Sequence, residues 1–368
     1  MQLTHLHIVN FKNIADADLS FSPNINALLG DNGMGKSNLL DAIYYLSFCK
    51  SFSSLPDSGI VKSGEMFAMM QGDYLRKGVE EQVAFGYTSG KRKSFKRGGK
   101  EYTRLSQHIG LFPLVLVSPS DMDLVGGGSE VRRRFIDMLI SQTDSTYLSH
   151  LIRYNNALQQ RNKLLRDHIY DANLYIAVEM SMEMSAEYIT KSRREISTRL
   201  LEAFKRHYHD IARTDETPGL EYRSLLNEST CRYSEQLEEA RRKDEILGHT
   251  TVGPHRDDLE LTLEGMSVKS TASQGQSKTF TIALRLAQYE FIHEATGMKP
   301  LLLLDDIFDK LDSNRVANIV DIVSRDIFGQ IFITDTNREH LASIVSTMPN
   351  VDYRLWSVSA GRFEEIKQ

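Results

Sequence analysis

Apolar residues at Leu3, Leu6 and Ile8 give the start of the chain the rhythm of a β-strand. Similar short patterns return at 67–75, at 82–88 and in FPLVLVSP at 112–119, with turn residues between them. Residues 25–29 read as a short buried strand, and Leu39, Leu40, Ile43 and Leu46 are spaced for a helix over 38–45. Residues 1 to about 120 are therefore expected to be mixed α/β.

The rhythm then changes. From Ser129 to Thr217 there is neither glycine nor proline, the two strongest helix breakers, which predicts long helices. Leu151, Tyr154, Leu158 and Leu165, then Leu174, Val178, Ile189, Ile196 and Leu200, are separated by threes, fours and sevens, so one helical face is expected to be buried. A break at YDAN, 170–173, would fold two antiparallel helices into a hairpin arm; a compact helical domain fits the same pattern. The methionine-rich run VEMSMEMSAEY reads as helix packing, with no cofactor assigned.

After Pro218 strands return at 259–265, followed by a helix over 274–294 and the apolar strand LLLLDD at 301–306. A helical insertion thus splits the α/β part, which predicts one nucleotide-binding head assembled from both ends of the chain. The expected segments are 1–125, 126–248 and 249–368. No internal repeat or low-complexity tract interrupts them.

Composition changes this picture little. The 368 residues are 41% hydrophobic and 25% charged, ordinary values for a folded protein. No apolar run is long enough to cross a bilayer, and the N-terminus enters a strand pattern instead of a signal peptide, so a cytoplasmic location without membrane partners is expected. Cys49 and Cys231 lie far apart without metal spacing and are read as reduced structural thiols. The net charge of -5 leaves nucleic-acid binding to local clusters.

The chemistry begins at residue 30. Gly30, Asp31, Asn32, Gly33, Met34, Gly35, Lys36 and Ser37 satisfy G-x-x-x-x-G-K-[ST], between a strand and a helix that opens at Asn38. Glycines let successive backbone N–H groups point at phosphate oxygens, the helix N-terminus adds partial positive charge, Lys36 reaches the β and γ phosphates, and Ser37 places a hydroxyl on Mg²⁺. ATP and Mg²⁺ are the expected ligands. Asp305 and Asp306 end a buried strand, where a metal-holding acid and a carboxylate for the attacking water belong. Two acids on a strand are weak evidence alone and strong evidence after a phosphate loop. Ser273, Gln274, Gly275 and Gln276 directly precede a helix.

With these parts the chain resembles the ABC ATPases, whose signature loop contacts the γ phosphate held by another subunit. Within that group it is most similar to the RecF family, related to SMC heads. The resemblance runs nearly end to end through NFKNI (10–14), GDNGMGKSN (30–38), VSPSDMDLVGGGSEVRRRFID (117–137), GPHRDDL (253–259), SQGQSKT (273–279) and LLLLDDIFDKLD (301–312). It implies an ABC/SMC-type ATPase head with an inserted helical arm. It also implies a nucleoid-associated protein of replication, recombination and repair that binds ATP and dimerises with it. Such a protein would bind duplex DNA and single-strand gap junctions, hydrolyse ATP slowly, and assist RecO and RecR in loading RecA. By the same resemblance Ser273, Gly275 and Gln276 belong to the trans γ-phosphate contact, Asp312 to a dimer-facing acidic loop, and Lys12 with Asn13 to the adenine side and α phosphate.

There are departures. Position 306 is Asp where most ABC proteins carry Glu, Thr334, Asp335 and Thr336 stand where a switch histidine is expected, and Ser118 to Asp121 stand in place of a glutamine loop. The first two fit slow turnover.

Candidate DNA contacts are Lys91, Arg92, Lys93, Lys96, Arg97 and Lys100 with Phe95 among them, a cluster that reads equally as a solvated hairpin tip. Arg132, Arg133 and Arg134 oppose a helix dipole and call for DNA phosphate, nucleotide or acidic neighbours. His255 and Arg256, beside Asp257 and Asp258, lack convergent metal spacing and are assigned a structural or subunit-contact role. Two rival functions remain: the nucleotide-binding subunit of a membrane transporter, and a nucleotide-switched scaffold.

Overall fold

The computed structural model describes residues 1–228, 232–309, 311–337 and 352–366. Its strands are β1 (Gln2–Phe11), β2 (Ile14–Ser20), β3 (Ile25–Leu29), β4 (Phe67–Arg76), β5 (Val79–Thr88), β6 (Ser94–Arg97), β7 (Lys100–Glu101), β8 (Leu114–Val117), β9 (Pro218–Arg223), β10 (Asp258–Leu263), β11 (Met266–Ser267), β12 (Leu301–Asp305), β13 (Ile331–Asp335), β14 (Tyr353–Ser359) and β15 (Arg362–Glu365). Its helices are α1 (Lys36–Phe48), α2 (Asp123–Gly126), α3 (Ser129–Thr143), α4 (Ser145–Arg166), α5 (Ala172–Ala212), α6 (Leu225–Glu228), α7 (Tyr233–Leu247), α8 (Val268–Thr271), α9 (Gln274–Thr296) and α10 (Ser313–Val323).

The chain divides into two compact units. The first comprises 1–121, 210–213 and 282–368, so it is built from both ends of the chain as expected. Its central sheet has the order β15-β14-β3-β13-β12-β8, and all neighbours are parallel except the β14/β15 hairpin. β3, β12 and β13 are buried at every position, which is why they read as continuous apolar runs without alternation. A second, antiparallel sheet runs β2-β1-β4-β5-β6-β7. A register shift between Leu3 and His5 turns both Leu3 and Leu6 inward although they are three residues apart.

Helix α1 packs against strands of both sheets and buries eleven of its thirteen residues. Gln330 also ties the sheets: its side-chain amide donates to the carbonyls of Leu3 and Ser22 and accepts from the Leu3 N–H. With every polar atom of the amide paired, its near-complete burial carries no desolvation penalty for an unmade bond.

The second unit comprises 122–209 and 214–281. Residues 249–281, expected with the C-terminal lobe, cluster here because β10 pairs with β9 on one side and β11 on the other. The helical stretch contains three helices instead of two. Asp144 breaks it without glycine or proline: its backbone is extended and its carboxylate accepts from the N–H groups of Thr146 and Tyr147, capping α4. The second break falls where expected, with Asp171 accepting from Asn173 and Leu174 at the start of α5. His150 meets Ser185 and Tyr188 while Arg161 meets Glu179, so α4 and α5 run antiparallel. Of the methionine run, Met182 is fully buried but Met180 and Met184 face solvent. No described helix is long and apolar enough to cross a membrane.

Candidate nucleotide site

The loop from Gly30 to Gly35 connects β3 to α1 in the first unit. A side chain on Gly30 would place its Cβ 2.3 Å from the Val358 carbonyl oxygen, so glycine is required where the loop presses on β14. Gly35 has φ +113° and sits where a Cβ would meet the Asn13 side chain at 2.8 Å. The loop is thus held from two sides. Asn13 Nδ2 donates to the Met34 carbonyl and its Oδ1 accepts from Asn38 Nδ2, while the Gly361 N–H in the β14/β15 turn also donates to Met34.

Lys36 folds back over this loop. Its ammonium donates to the carbonyls of Gly30 at 2.5 Å and Asp31 at 2.9 Å. Burial lowers its pKa, and Asp306, Asp305, Asp31 and Asp335 oppose that shift by favouring the charged form.

At the end of β12, Asp305 Oδ1 accepts from Ser37 Oγ at 2.8 Å and from Thr334 Oγ1 at 2.7 Å. Thr334 Oγ1 in turn accepts from the Asp306 N–H at 2.9 Å. This fixes the start of a bend in which Asp306 takes φ +49°, out of line with the strand. Burial raises the Asp305 pKa; the hydrogen bonds from Thr334 and Ser37 pull the other way. A hydroxyl and a carboxylate already within hydrogen-bond distance form the hard oxygen set that suits Mg²⁺. Thr334, noted in the sequence only for not being a histidine, is the residue that positions both acids.

The remaining expected residues divide. Lys12 does not join Asn13 at the loop: its ammonium lies 2.6 Å from the fully buried Asp41 carboxylate, which also holds Ser51 and Phe52. In the segment replacing the glutamine loop, Asp121 is committed to Arg285 and to the Ser118 N–H, and Ser118 and Ser120 pair with each other. Asp312 caps α10 by accepting from the Arg315 N–H.

In the second unit, Ser273 and Gln276 cap α9 reciprocally: Ser273 Oγ accepts from the Gln276 N–H and Gln276 Oε1 from the Ser273 N–H. The Gln276 amide also donates to Glu216 at 2.5 Å. Ser273 and Gln274 stand exposed at the N-terminus of a 23-residue helix, whose partial positive charge favours an anion.

The DNA candidates are sorted by their partners. Lys91, Arg92, Lys96 and Lys100 are exposed. Lys93 instead turns inward to Tyr45, Asp57 and the Cys49 carbonyl at the end of α1, and Arg97 pairs with Glu81. Phe95 is buried against Phe85, Tyr102 and His108. In the arginine triplet, Arg132 makes a two-pronged contact with Asp258 and Arg133 donates to the Asp257 carbonyl and Ser129, so acidic and polar neighbours answer the dipole question for two of the three. Arg134 is exposed beside Glu130.

His255 lies 2.7 Å from the Tyr154 hydroxyl through Nδ1 and donates from Nε2 to the Thr250 carbonyl, a packing role. Among the described residues no group of three or more His, Cys, Asp or Glu is placed to hold a metal ion. Cys49 is buried and its thiol is pushed up to about 12, chiefly by that burial; Cys231 lies outside the described residues. Two fully or nearly fully buried arginines had no sequence signal: Arg161, between Glu179 and Asp244, and Arg193, between Asp137 and the Pro254 carbonyl.

Comparison with known proteins places these features in a family setting. The family described as RecF/RecN/SMC N terminal domain matches residues 2–354. The DNA replication and repair protein RecF of Parabacteroides distasonis is 47% identical over 368 residues, covering 100% of both chains. The protein of the same name from Phocaeicola vulgatus is 45% identical over 371 residues, covering 100% of this chain and 99% of the relative. A solved recombination mediator protein RecF with ATP, in the RecFOR pathway, superposes with TM-score 0.88 at 28% identity, covering 100% of this chain and 98% of that one. An Smc head bound to the C-winged helix domain of ScpA gives TM-score 0.59 at 15% identity over 100% of this chain and 98% of that one, a likeness of fold.

Proposed function

This chain belongs to the RecF/RecN/SMC N-terminal domain family, and from that premise we propose that it is an ATP-dependent DNA-binding ATPase of replication and repair, working as a nucleotide-closed dimer. The observation that carries the reading is the convergence of Ser37, Thr334 and Asp305 beneath the Lys36 loop. Such a cluster serves a triphosphate and a hard divalent cation, and ATP is named in the solved RecF relative.

In this reading the backbone N–H groups of the loop and the Lys36 ammonium bind the β and γ phosphates. Ser37 and Asp305 would hold Mg²⁺, which supplies charge neutralisation at the phosphates when bound. Asp306, bent out of β12, orients and deprotonates the attacking water. Its side chain is one methylene shorter than Glu, so it reaches the water less well and turnover is slow. Ser273 and Gly275 of a second copy bring the N-terminus of α9 to the γ phosphate, so the site is complete only in the dimer. Closure encloses duplex or gapped DNA, contacted by Lys91, Arg92, Lys96 and Lys100. RecO and RecR are the expected protein partners in delivering RecA. Residues 1–125, 126–248 and 249–368 remain useful as sequence segments, the first carrying the phosphate loop and the last the signature and acid motifs.

Sedimentation of the full chain with and without ATP tests this. ATP should convert monomer to dimer, and Asp306→Asn should stabilise the ATP dimer and lengthen its residence on DNA. A protein that stays monomeric with saturating ATP contradicts the reading. An Asp306→Asn protein with unaltered DNA release and full biological function favours the nucleotide-switched scaffold instead.

A further inference from the structure

We infer that Lys93 is a positioning residue through which DNA at the basic β5–β6 hairpin acts on the nucleotide site. This role rests on the reading above, in which Lys91, Arg92, Lys96 and Lys100 contact DNA and Lys36 holds ATP, and it supplies the part that joins the two.

The turn between β5 and β6 is exposed from Ser89 to Arg92. Lys93, the next residue, is not: its side chain is 19% exposed and its ammonium meets the end of α1. There it donates to the Cys49 carbonyl at 2.8 Å, to the Tyr45 hydroxyl at 3.2 Å and to Asp57 at 3.2 Å. Tyr45 donates to the same Asp57 carboxylate, and the ammonium lies over the Tyr45 ring at 5.4 Å. Cys49 caps the C-terminus of α1, where the partial negative charge of the last carbonyls favours a cation. The neighbouring basic residues do something else. Arg97 pairs with Glu81 of the adjacent strand, and Lys91, Arg92, Lys96 and Lys100 face solvent.

Helix α1 is built to carry a displacement from this end to the other. Eleven of its thirteen residues are buried, so it shifts as a body against the sheets that enclose it, over a length of about 20 Å. Its first two residues are Lys36, folded over the phosphate loop, and Ser37, bonded to Asp305. Its last turn is gripped twice from the hairpin side. His108 donates from Nε2 to the Leu46 carbonyl and packs its ring on Phe95 of β6; it is fully buried and serves as a fixed bearing. Lys93 instead follows the DNA-facing residues directly in the chain. Phosphates that reposition Lys91 and Arg92 therefore reposition Lys93 and, through it, the last turn of α1. Small slides of packed helices of this kind are a common way for one site to reach another.

ATP turnover of the full chain with and without duplex DNA tests this in Lys93→Met, which keeps the aliphatic stem over Tyr45 and removes the charge. Basal turnover and the far-ultraviolet spectrum should remain those of the wild type. DNA affinity should keep its salt slope, because the ammonium does not face DNA, and DNA should no longer raise turnover. Asp57→Asn, which reaches the same contact from outside the hairpin, should lose the stimulation as well. Stimulation that survives both substitutions overturns the role of Lys93 and leaves the DNA reading standing. So does a basal rate that falls in step with the stimulated one, since Lys93 then only braces α1, and so does a salt slope reduced by about 1, since Lys93 is then itself a DNA contact. Wild-type turnover indifferent to DNA is distinct from all of these and removes the DNA reading together with this role.

Discussion

Asp305 shows how far single residues could be understood before folding. Its place at the end of an apolar strand, downstream of a phosphate loop, marked it in the sequence, but its environment did not follow from the motif. It is buried, shares its Oδ1 between Ser37 and Thr334, and its pKa is raised chiefly by that burial. A raised carboxylate pKa means that the ionised form costs stability at neutral pH: the contribution is favourable at low pH and is lost as pH rises through the folded-state pKa. Asp305→Asn keeps an acceptor for both hydroxyls and removes the buried charge. It should raise the melting temperature of the nucleotide-free protein at neutral pH, by an effect of about 0.5–2 kcal/mol, while abolishing ATP turnover. Calorimetry and a phosphate-release assay check the two halves. Charged residues elsewhere were less legible, because a run of Lys and Arg says nothing about the partner each one finds. Lys93 and Arg97 look like their neighbours in sequence, yet one grips the end of α1 and the other Glu81.

At the scale of elements, strands whose every residue is buried and helices with long apolar spacing were readable, since period and length are carried by many positions at once. The break at Asp144 was not. Asp144 ends α3 and begins α4 through two hydrogen bonds that its carboxylate accepts, a local competition that periodicity does not register. Two histidines anchor elements in a way that makes acid stability a test. His108 donates from Nε2 to the Leu46 carbonyl of α1, and His255 donates likewise to Thr250. Burial, outweighing those hydrogen bonds, lowers both pKa values to about 4, from an ordinary value of 6.5. The unfolded chain therefore takes up these protons near pH 6.5 and the folded one only near pH 4. Their contribution is complete above pH 6.5 and falls as pH drops toward 4, at a scale of roughly 1.4 kcal/mol per pKa unit for each group. Denaturation midpoints measured from pH 7 to pH 4 should decline, and His255→Gln should flatten that decline.

For the whole molecule, two basic regions that look alike in sequence should behave differently. Replacing Lys91, Arg92 and Lys96 with Ala should leave stability almost unchanged, weaken DNA binding and reduce the slope of log affinity against log salt by about 3. Arg132→Ala should instead destabilise the fold by about 2 kcal/mol, less than for a fully buried pair because Asp258 is partly exposed, and should leave the salt slope alone. DNA titrations at several salt concentrations, beside denaturation curves, separate these outcomes. The assembly of one head from both chain ends was legible because a phosphate loop and its acid strand require each other across the helical insertion. The grouping of 214–281 with the helices was not, since strand pairing between β9 and β10 depends on a register that neither segment specifies alone.

If the triphosphate at Lys36 is turned over in the service of DNA, ATP hydrolysis by the purified chain is the quantity to measure, with and without duplex DNA and beside Lys36→Met. Slow turnover that DNA stimulates and the substitution abolishes is the predicted result; turnover indifferent to DNA, or undiminished in Lys36→Met, would contradict it.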